Sequence, residues 1–156
     1  MTATLLYRIA AVVLVVFAAG HTFGFITFRP PSAEGLAVHQ AMNSVQFEFD
    51  GAKHSYGAFY TGFGITVTAY MLLSAFLAWH LSGLAARQPG AIGALGWVFA
   101  ALQLACVALN VVYFFLVPVL FSAVVAVCLV WAAWLVGHVI VKERFDARVL
   151  AKRGGT

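Results

Sequence analysis

Four long apolar runs decide the solvent in which this chain folds. They cover residues 5–28, 56–84, 91–115 and 116–141, and none has Asp, Glu or Lys in its interior. A helix needs about 20 apolar residues to cross a bilayer, so each run is long enough. Helices and closed barrels alone satisfy every backbone polar group in hydrocarbon, and barrel strands are shorter and alternate in polarity. The runs therefore predict an all-α fold, a transmembrane four-helix bundle.

The composition excludes a soluble protein of this size. Hydrophobic residues make up 63% of the 156 residues, and charged residues only 9%. A soluble domain with this balance would be coated with apolar surface. We expect a single integral membrane domain over residues 1–156, with the lipid bilayer as its principal partner.

Positive charge is concentrated after the last apolar run. The segment 142–156 carries five basic residues: Lys142, Arg144, Arg148, Lys152 and Arg153. Arg87 lies between the second and third runs, whereas the turn between the third and fourth runs has no charge. Because cytoplasmic segments carry an excess of Lys and Arg, both termini are expected in the cytoplasm and the polar loop 29–55 outside. These few charges, without a folded nucleic-acid-binding domain, do not indicate nucleic acid as a partner.

The loop 29–55 contains its own structural signals. Residues 33–44 are compatible with a short interfacial helix. Apolar and polar residues then alternate over 45–50, which favours an extended segment or an amphipathic lid. Asp50-Gly51 is a turn signal that directs the chain into the second apolar run.

A few polar residues inside the apolar runs are candidates for chemistry, because a polar side chain in hydrocarbon is costly unless it is paired. His21 is the strongest of them, and we assign it proton transfer or hydrogen bonding to a ligand. Counting the helix rise from the middle of each run places His21, Asn110 and Thr66 at similar depths in the outer half of the bundle. Asn110 and Tyr113 would orient the polar head of the ligand, and Thr66 would complete the lining.

The loop 29–55 and the start of the second run provide a roof for this predicted site. Seven further ligand-binding candidates belong to the roof and its lining: Phe47, Glu48, Phe49, Asp50, His54, Phe59 and Tyr60. The aromatic rings would close over the apolar part of the ligand. His54 with Asp50 and Glu48 could also hold a metal or transfer protons, but ordinary solvated charges explain them equally well, so no metal is assigned.

Alternative interpretations accompany each of these residues. Gly20 and Gly24 form a GxxxG pattern, and such stripes are most often helix-packing surfaces. Gln103, Cys106, Asn110 and Tyr113 follow one stripe of the third run, where interhelical hydrogen bonding is the commoner role. His80 and His138 lie at similar depth near the cytoplasmic side and could ligate a b-type haem, although interfacial histidines beside tryptophan usually anchor helix ends.

Three motifs carry a family resemblance. They are Gly20-His21-Thr22-Phe23-Gly24-Phe25 followed by Arg29-Pro30-Pro31, then Phe47-Glu48-Phe49-Asp50-Gly51, then Tyr56-Gly57-Ala58-Phe59-Tyr60-Thr61-Gly62-Phe63-Gly64. On these motifs the chain resembles, over nearly its whole length, a group of uncharacterised small bacterial four-helix membrane proteins, which are similar in architecture to DoxX-like proteins. The resemblance implies a multi-pass protein of the bacterial inner (cytoplasmic) membrane. It supplies no substrate, cofactor or catalytic residue.

Two functions from different classes follow from the sequence. The first is a binding protein, or an enzyme, for a lipophilic molecule of the quinone, isoprenoid or lipid class, held in the outer half of the bundle. The second is a non-catalytic accessory or scaffold subunit whose glycine faces pack against a second copy or a larger membrane complex. The cofactor is unknown, and a haem protein is a minor third possibility.

Overall fold

The structure is a computed structural model that describes residues 1–153, apart from the side chains at 143, 144, 148 and 151–153. It is 84% helical. The elements follow in the order α1 (Ala3–Thr27), α2 (Ala33–Ser44), β1 (Gln46–Phe49), β2 (Ala52–Ser55), α3 (Tyr56–Arg87), α4 (Leu95–Tyr113) and α5 (Leu116–Arg153), with a 3-10 turn at Pro89–Ala91 between α3 and α4.

Four of the helices, α1, α3, α4 and α5, are long and apolar enough to cross a membrane. This confirms the predicted number of membrane-length helices. The helix boundaries differ from the predicted runs, most clearly at the start of α4. Gly93 has a positive φ of 50°, a conformation that interrupts a right-handed helix, and α4 accordingly begins at Leu95.

The connection from α4 to α5 is very short. Phe114 is extended at the end of α4 and leaves only Phe115 before α5 begins at Leu116. Pro118 falls in the first turn of α5, where its missing N–H removes no intrahelical hydrogen bond. Helices joined this closely are antiparallel neighbours.

Contacts divide the chain into two compact units. The first unit contains residues 1–17 together with 73 onward, and the second contains residues 18–72. The single domain expected from the sequence stays a prediction.

The first unit has a core built largely from alanine. The buried alanines come from all four long helices: Ala10, Ala11, Ala75, Ala78, Ala100, Ala126, Ala132 and Ala133. Larger buried side chains, such as Leu6, Leu81 and Leu129, fill the space between them. In lipid the hydrophobic effect does not draw helices together, so association depends on close contact, and small residues allow it. This core follows that rule.

The second unit contains α2 and a β-hairpin. α2 begins after Ser32, whose hydroxyl accepts a hydrogen bond from the Gly35 amide at 3.0 Å, a standard N-cap. β1 and β2 are antiparallel, with Gln46 opposite Ser55 and Phe49 opposite Ala52. The predicted helix 33–44 and the extended segment after it are confirmed; the second strand was not predicted.

The hairpin loop consists of Asp50 and Gly51. Both have positive φ angles, 52° and 77°, which is the pattern of a two-residue type I′ turn. Asp-Gly is favoured there because both residues tolerate the left-handed region. The predicted turn at Asp50-Gly51 is therefore present, but it leads into β2 rather than directly into a helix.

Candidate functional site

His21 of α1 is half-buried and contacts α3 directly. Its Nε2 lies 3.2 Å from the carbonyl oxygen of Gly64. A carbonyl only accepts hydrogen bonds, so Nε2 carries the proton and donates it. The imidazole also stacks on Phe25, with 5.9 Å between the ring centroids. In the neutral ring this leaves Nδ1 as the acceptor, and within the described part of the chain it has no hydrogen-bond partner.

Two threonines extend this polar contact. The hydroxyls of Thr22 on α1 and Thr68 on α3 are 2.9 Å apart. Thr22 also lies 2.8 Å from the Ala18 carbonyl, and Thr68 lies 3.3 Å from the Gly64 carbonyl. We call His21, Thr22, Gly64 and Thr68 the α1–α3 polar network. Interhelical hydrogen bonds of this kind contribute about 0.6 kcal/mol each in membranes, so the network holds the two helices together.

Gly64 is the point of closest approach beside the network. A Cβ built on Gly64 would lie 2.5–2.8 Å from atoms of the Phe25 ring. A side chain at this position would require the Phe25 ring to move. The Phe25 ring continues to Tyr60, with centroids 5.2 Å apart.

Gly20 and Gly24, the predicted GxxxG pair, are not covered by a neighbouring side chain as Gly64 is. Both are exposed, and a Cβ at either position would have nothing within 4 Å. No other helix in the described part of the chain packs closely against these two glycines.

The four aromatic residues of the predicted roof do not form one cluster. Phe47 of β1 contacts Phe59, with centroids 5.9 Å apart and the rings perpendicular, and it also contacts Tyr56 at 5.0 Å. Tyr60 contacts Phe25 instead. Phe49 is 77% exposed. Three of the four predicted rings thus contact other rings of the second unit.

The charged residues of the hairpin are solvent-facing. Glu48 and Lys53 are opposite each other across the strands, and their charged atoms are 3.7 Å apart. An exposed pair of this kind contributes about 1 kcal/mol or less. Asp50 forms the turn, and His54 is exposed opposite Phe47. Among the described residues, no three His, Cys, Asp or Glu side chains are grouped as metal ligands.

The remaining predicted ligand residues have other surroundings. Asn110 donates its amide to the Pro118 carbonyl at 3.4 Å, across the α4–α5 turn. Tyr113 is 73% exposed. Thr66 is exposed, and its hydroxyl bonds to the Gly62 carbonyl of its own helix. Asn110 and Tyr113 belong to the first unit and His21 to the second, so the predicted pocket that would join them stays a prediction.

The two histidines considered for haem each contact an aromatic ring one helical turn earlier. His138 packs on Trp134, with centroids 4.1 Å apart, and its Nδ1 donates to the Trp134 carbonyl at 3.2 Å. His80 stacks on Phe76 at 6.3 Å. Both are exposed. Such contacts are typical of the amphipathic belt that anchors helix ends.

A cavity of about 580 Å³ lies between α4 and α5. We call it the α4–α5 groove. Its lining is entirely apolar and consists of Trp97, Leu104, Val107, Ala123, Ala126, Val127, Val130, Trp131 and Trp134. Sequence reasoning missed the groove, although the recurrence of its α5 residues every three or four positions was a usable signal.

Comparison with protein-family models, with curated proteins and with solved structures finds no match to this chain.

Proposed function

We propose that the four membrane-length helices form a bundle in the bacterial inner membrane with both termini in the cytoplasm. The charge pattern supports this orientation. Five basic residues lie in the last turns of α5, and Arg87 ends α3, whereas Phe114 and Phe115 between α4 and α5 carry no charge. Cytoplasmic enrichment of Lys and Arg then puts the hairpin outside.

Within that membrane protein, the α4–α5 groove supports binding of a lipophilic molecule that enters laterally from the bilayer. The groove carries this proposal because it is an apolar depression between two membrane-length helices and is open to lipophilic molecules from the bilayer. Apart from the tryptophan indoles, every side chain that lines it in the described part of the chain is aliphatic. The fitting ligands are therefore quinone-, isoprenoid- or lipid-like, and a water-soluble metabolite would leave its polar groups unpaired.

The groove lies away from the region in which the sequence placed the site. Its α5 residues, Ala123 to Trp134, are centred on the apolar run 116–141 and therefore on the middle of the membrane, whereas the site around His21 was expected in the outer half. The role of His21 as a proton donor or ligand contact stays a prediction. Its bond to Gly64 supports helix packing, and no catalytic step is part of the proposal.

Native mass spectrometry of gently extracted protein tests the function. Ala123 is half-buried in the groove, so Ala123→Phe should fill it and expel the ligand. Ala69 on α3 is exposed and does not line the groove, which makes Ala69→Phe the matched control. We expect a bound lipophilic molecule on the wild type and on Ala69→Phe, and its loss from Ala123→Phe, which should still unfold cooperatively.

Two results would contradict this function. One is a wild-type protein that retains no lipophilic molecule under conditions in which its assembly survives. The other is equal retention by Ala123→Phe and Ala69→Phe, which would place the bound molecule elsewhere on the protein.

A second candidate function is the accessory or scaffold subunit. It is favoured by one observation, the open surface at Gly20 and Gly24. A GxxxG surface allows the backbone of another helix to approach closely, and here that helix would belong to a second copy or to a larger membrane complex.

A further inference from the structure

We propose that the hairpin of β1 and β2 lies on the membrane surface and inserts the ring of Phe49 among the lipids beside α3. The partner is a lipid surface, and the contact is apolar. It requires α1 and α3 to cross the membrane, but it depends neither on the α4–α5 groove nor on the side of the membrane that the hairpin faces. Three features of the second unit support it: the two faces of the hairpin, a row of aromatic rings on α3, and the level at which α3 begins.

The hairpin has one apolar and one polar face. Residues directly opposite each other in an antiparallel pair share a face, and successive residues along a strand alternate between faces. One face therefore carries Phe47, Phe49, Ala52 and His54. The other face carries Gln46, Glu48, Lys53 and Ser55, including the solvent-facing ion pair. His54 lies at the base of the apolar face, where an amphipathic ring suits the boundary between water and lipid.

The base of the hairpin is fixed on α3. β2 ends at Ser55 and α3 begins at Tyr56, with no linker between them. On the other side, α2 leads into β1, and its Asn43 covers Gly57 of α3. Because both strands are held at this end, the hairpin does not turn freely about α3, and the contacts of its apolar face have a fixed direction.

A row of rings joins the apolar face to the exposed surface of α3. Phe47 contacts Phe59, and Phe59 contacts Phe63 with 4.8 Å between centroids, both with the rings nearly perpendicular. Phe59 and Phe63 are more than half exposed, and exposed rings on a membrane-spanning helix lie against lipid. Phe49 follows Phe47 on the same face but is left uncovered. The apolar face of the hairpin is thus continuous with a lipid-facing surface.

The start of α3 lies at the membrane boundary. His21 of α1 bonds to Gly64 of α3, so these two residues have about the same depth. From this level α1 continues six positions to Thr27, or about 9 Å, and α3 extends eight positions back to Tyr56, or about 12 Å. The first two apolar runs end at the same level. A hairpin attached here lies among the headgroups, from which an apolar side chain reaches the acyl boundary.

The attraction to lipid comes from the ring rather than from charge. The hairpin carries Glu48, Asp50 and Lys53, a net charge of 1 − 2 = −1, so an anionic surface does not attract it. Burial of a Phe side chain favours the inserted position by about tenfold or more. The short side chain of Ala52 does not reach beyond the hydrated headgroup layer.

Spin labels on the two faces test the contact. Cys106→Ala and Cys128→Ala remove the native thiols. A nitroxide is then attached to Phe49→Cys or, as the matched control on the polar face, to Glu48→Cys. Both positions are exposed, so neither substitution removes a core contact. The full chain is reconstituted in phosphatidylcholine vesicles, and collisions of the label are measured with oxygen, which concentrates in lipid, and with a water-soluble nickel chelate.

We expect the label at position 49 to collide more with oxygen than with the chelate, and the label at position 48 to show the reverse order. The fraction of label 49 that is exposed to water should be about a tenth or less. Phosphatidylcholine carries no net charge, so the result does not depend on attraction to an anionic headgroup.

A second measurement keeps the native ring, because the label itself is partly apolar. A nitroxide at Lys53→Cys, on the polar face, reports the motion of the hairpin while Phe49 is present. Phe49→Ser should release the tip of the hairpin and increase the mobility of this label.

Three results would overturn the contact. Equal access of the chelate to positions 48 and 49 would leave the hairpin in solution. Exclusion of both reagents from position 49 would mean that protein covers it, and dipolar broadening between labels would identify that protein as a second copy. Unchanged mobility at position 53 after Phe49→Ser would show that the ring is not the anchor. The lipophilic molecule of the α4–α5 groove is tested separately, by Ala123→Phe.

Discussion

At the scale of single residues, Tyr7 shows how this core uses a polar side chain. Tyr7 is completely buried in the first unit. Its hydroxyl has no hydrogen-bond partner among the described residues, and a Cβ built on Gly96 would lie 2.9 Å from that oxygen. An unpaired buried polar group costs about 1–3 kcal/mol. The core therefore depends on the volume of the ring and on the glycine beneath it.

A double-mutant cycle at these two positions separates volume from hydrogen bonding. Tyr7→Phe should maintain or raise stability, because it removes only the unpaired hydroxyl. Gly96→Ala should lower stability by about 1–3 kcal/mol, as overpacking does, and by less in the Tyr7→Phe background. Thermal unfolding in detergent measures all four proteins. A clear loss of stability in Tyr7→Phe would instead reveal a bond to the hydroxyl.

The α1–α3 polar network contains one residue that the sequence predicted and contacts that it did not. His21 was identified by type, since an imidazole in an apolar run must be paired. Its partner, the Gly64 carbonyl, could not be identified, because every residue has a carbonyl. Thr66 was chosen for the site, whereas Thr68 is the threonine that contacts α1. Two residues apart on a helix point in nearly opposite directions, and apolar residues all around α3 hide which side packs.

At the scale of elements, some helical glycines are covered by a neighbouring side chain and others are not. Gly64 is covered by Phe25, and Gly57 by Asn43, whereas Gly20 and Gly24 remain open. The four look equivalent in sequence. Their difference depends on which helix approaches which face, and that is decided by contacts between distant parts of the chain.

The open pair makes a specific prediction about assembly. Gly24→Leu should disrupt self-association or docking to a membrane partner, because the new side chain prevents close backbone approach. Gly62 on α3 is also open, with nothing within 4 Å of a Cβ, so Gly62→Leu is the matched control. Cross-linking in membranes followed by gel analysis measures the assembly. A complex that stays intact in Gly24→Leu would count against the scaffold function.

Element types were more predictable than element ends. Four membrane-length helices follow from hydropathy and length alone, because backbone groups in lipid leave little alternative. The start of α4 depended on the positive φ of Gly93, which many glycines can adopt. The strand β2 was missed because Ala52, Lys53 and His54 show no alternation of polarity. Its partner β1 supplies the hydrogen bonds that make it a strand.

For the whole molecule, orientation in the membrane is the property that decides which end of the α4–α5 groove meets the cytoplasm. It depends on the side at which basic residues accumulate. If all four membrane-length helices cross the bilayer, both termini lie on the same side, and a single experiment on two loops then fixes the direction of every helix.

Cysteine labelling should therefore give one consistent pattern. In a Cys106→Ala and Cys128→Ala background, Ala52→Cys in the hairpin should react with an impermeant maleimide on intact cells. Gln88→Cys, just after α3, should react only after the membrane is permeabilised. Both positions are exposed. The reverse pattern would invert the proposed topology.

The length of α5 has a consequence for the positive charge that it carries. Thirty-eight helical residues extend about 57 Å, while a bilayer with its headgroups is about 40–45 Å thick. If α5 starts at the outer boundary and crosses perpendicular to the membrane, the backbone at 142 lies beside the headgroups. The backbone at 152 then stands about 15 Å farther into solution, beyond the screening length of about 8 Å at physiological salt. In that position the helix would act as a spacer between the backbone at 142, near the lipid, and the backbone at 152, in the surrounding solution.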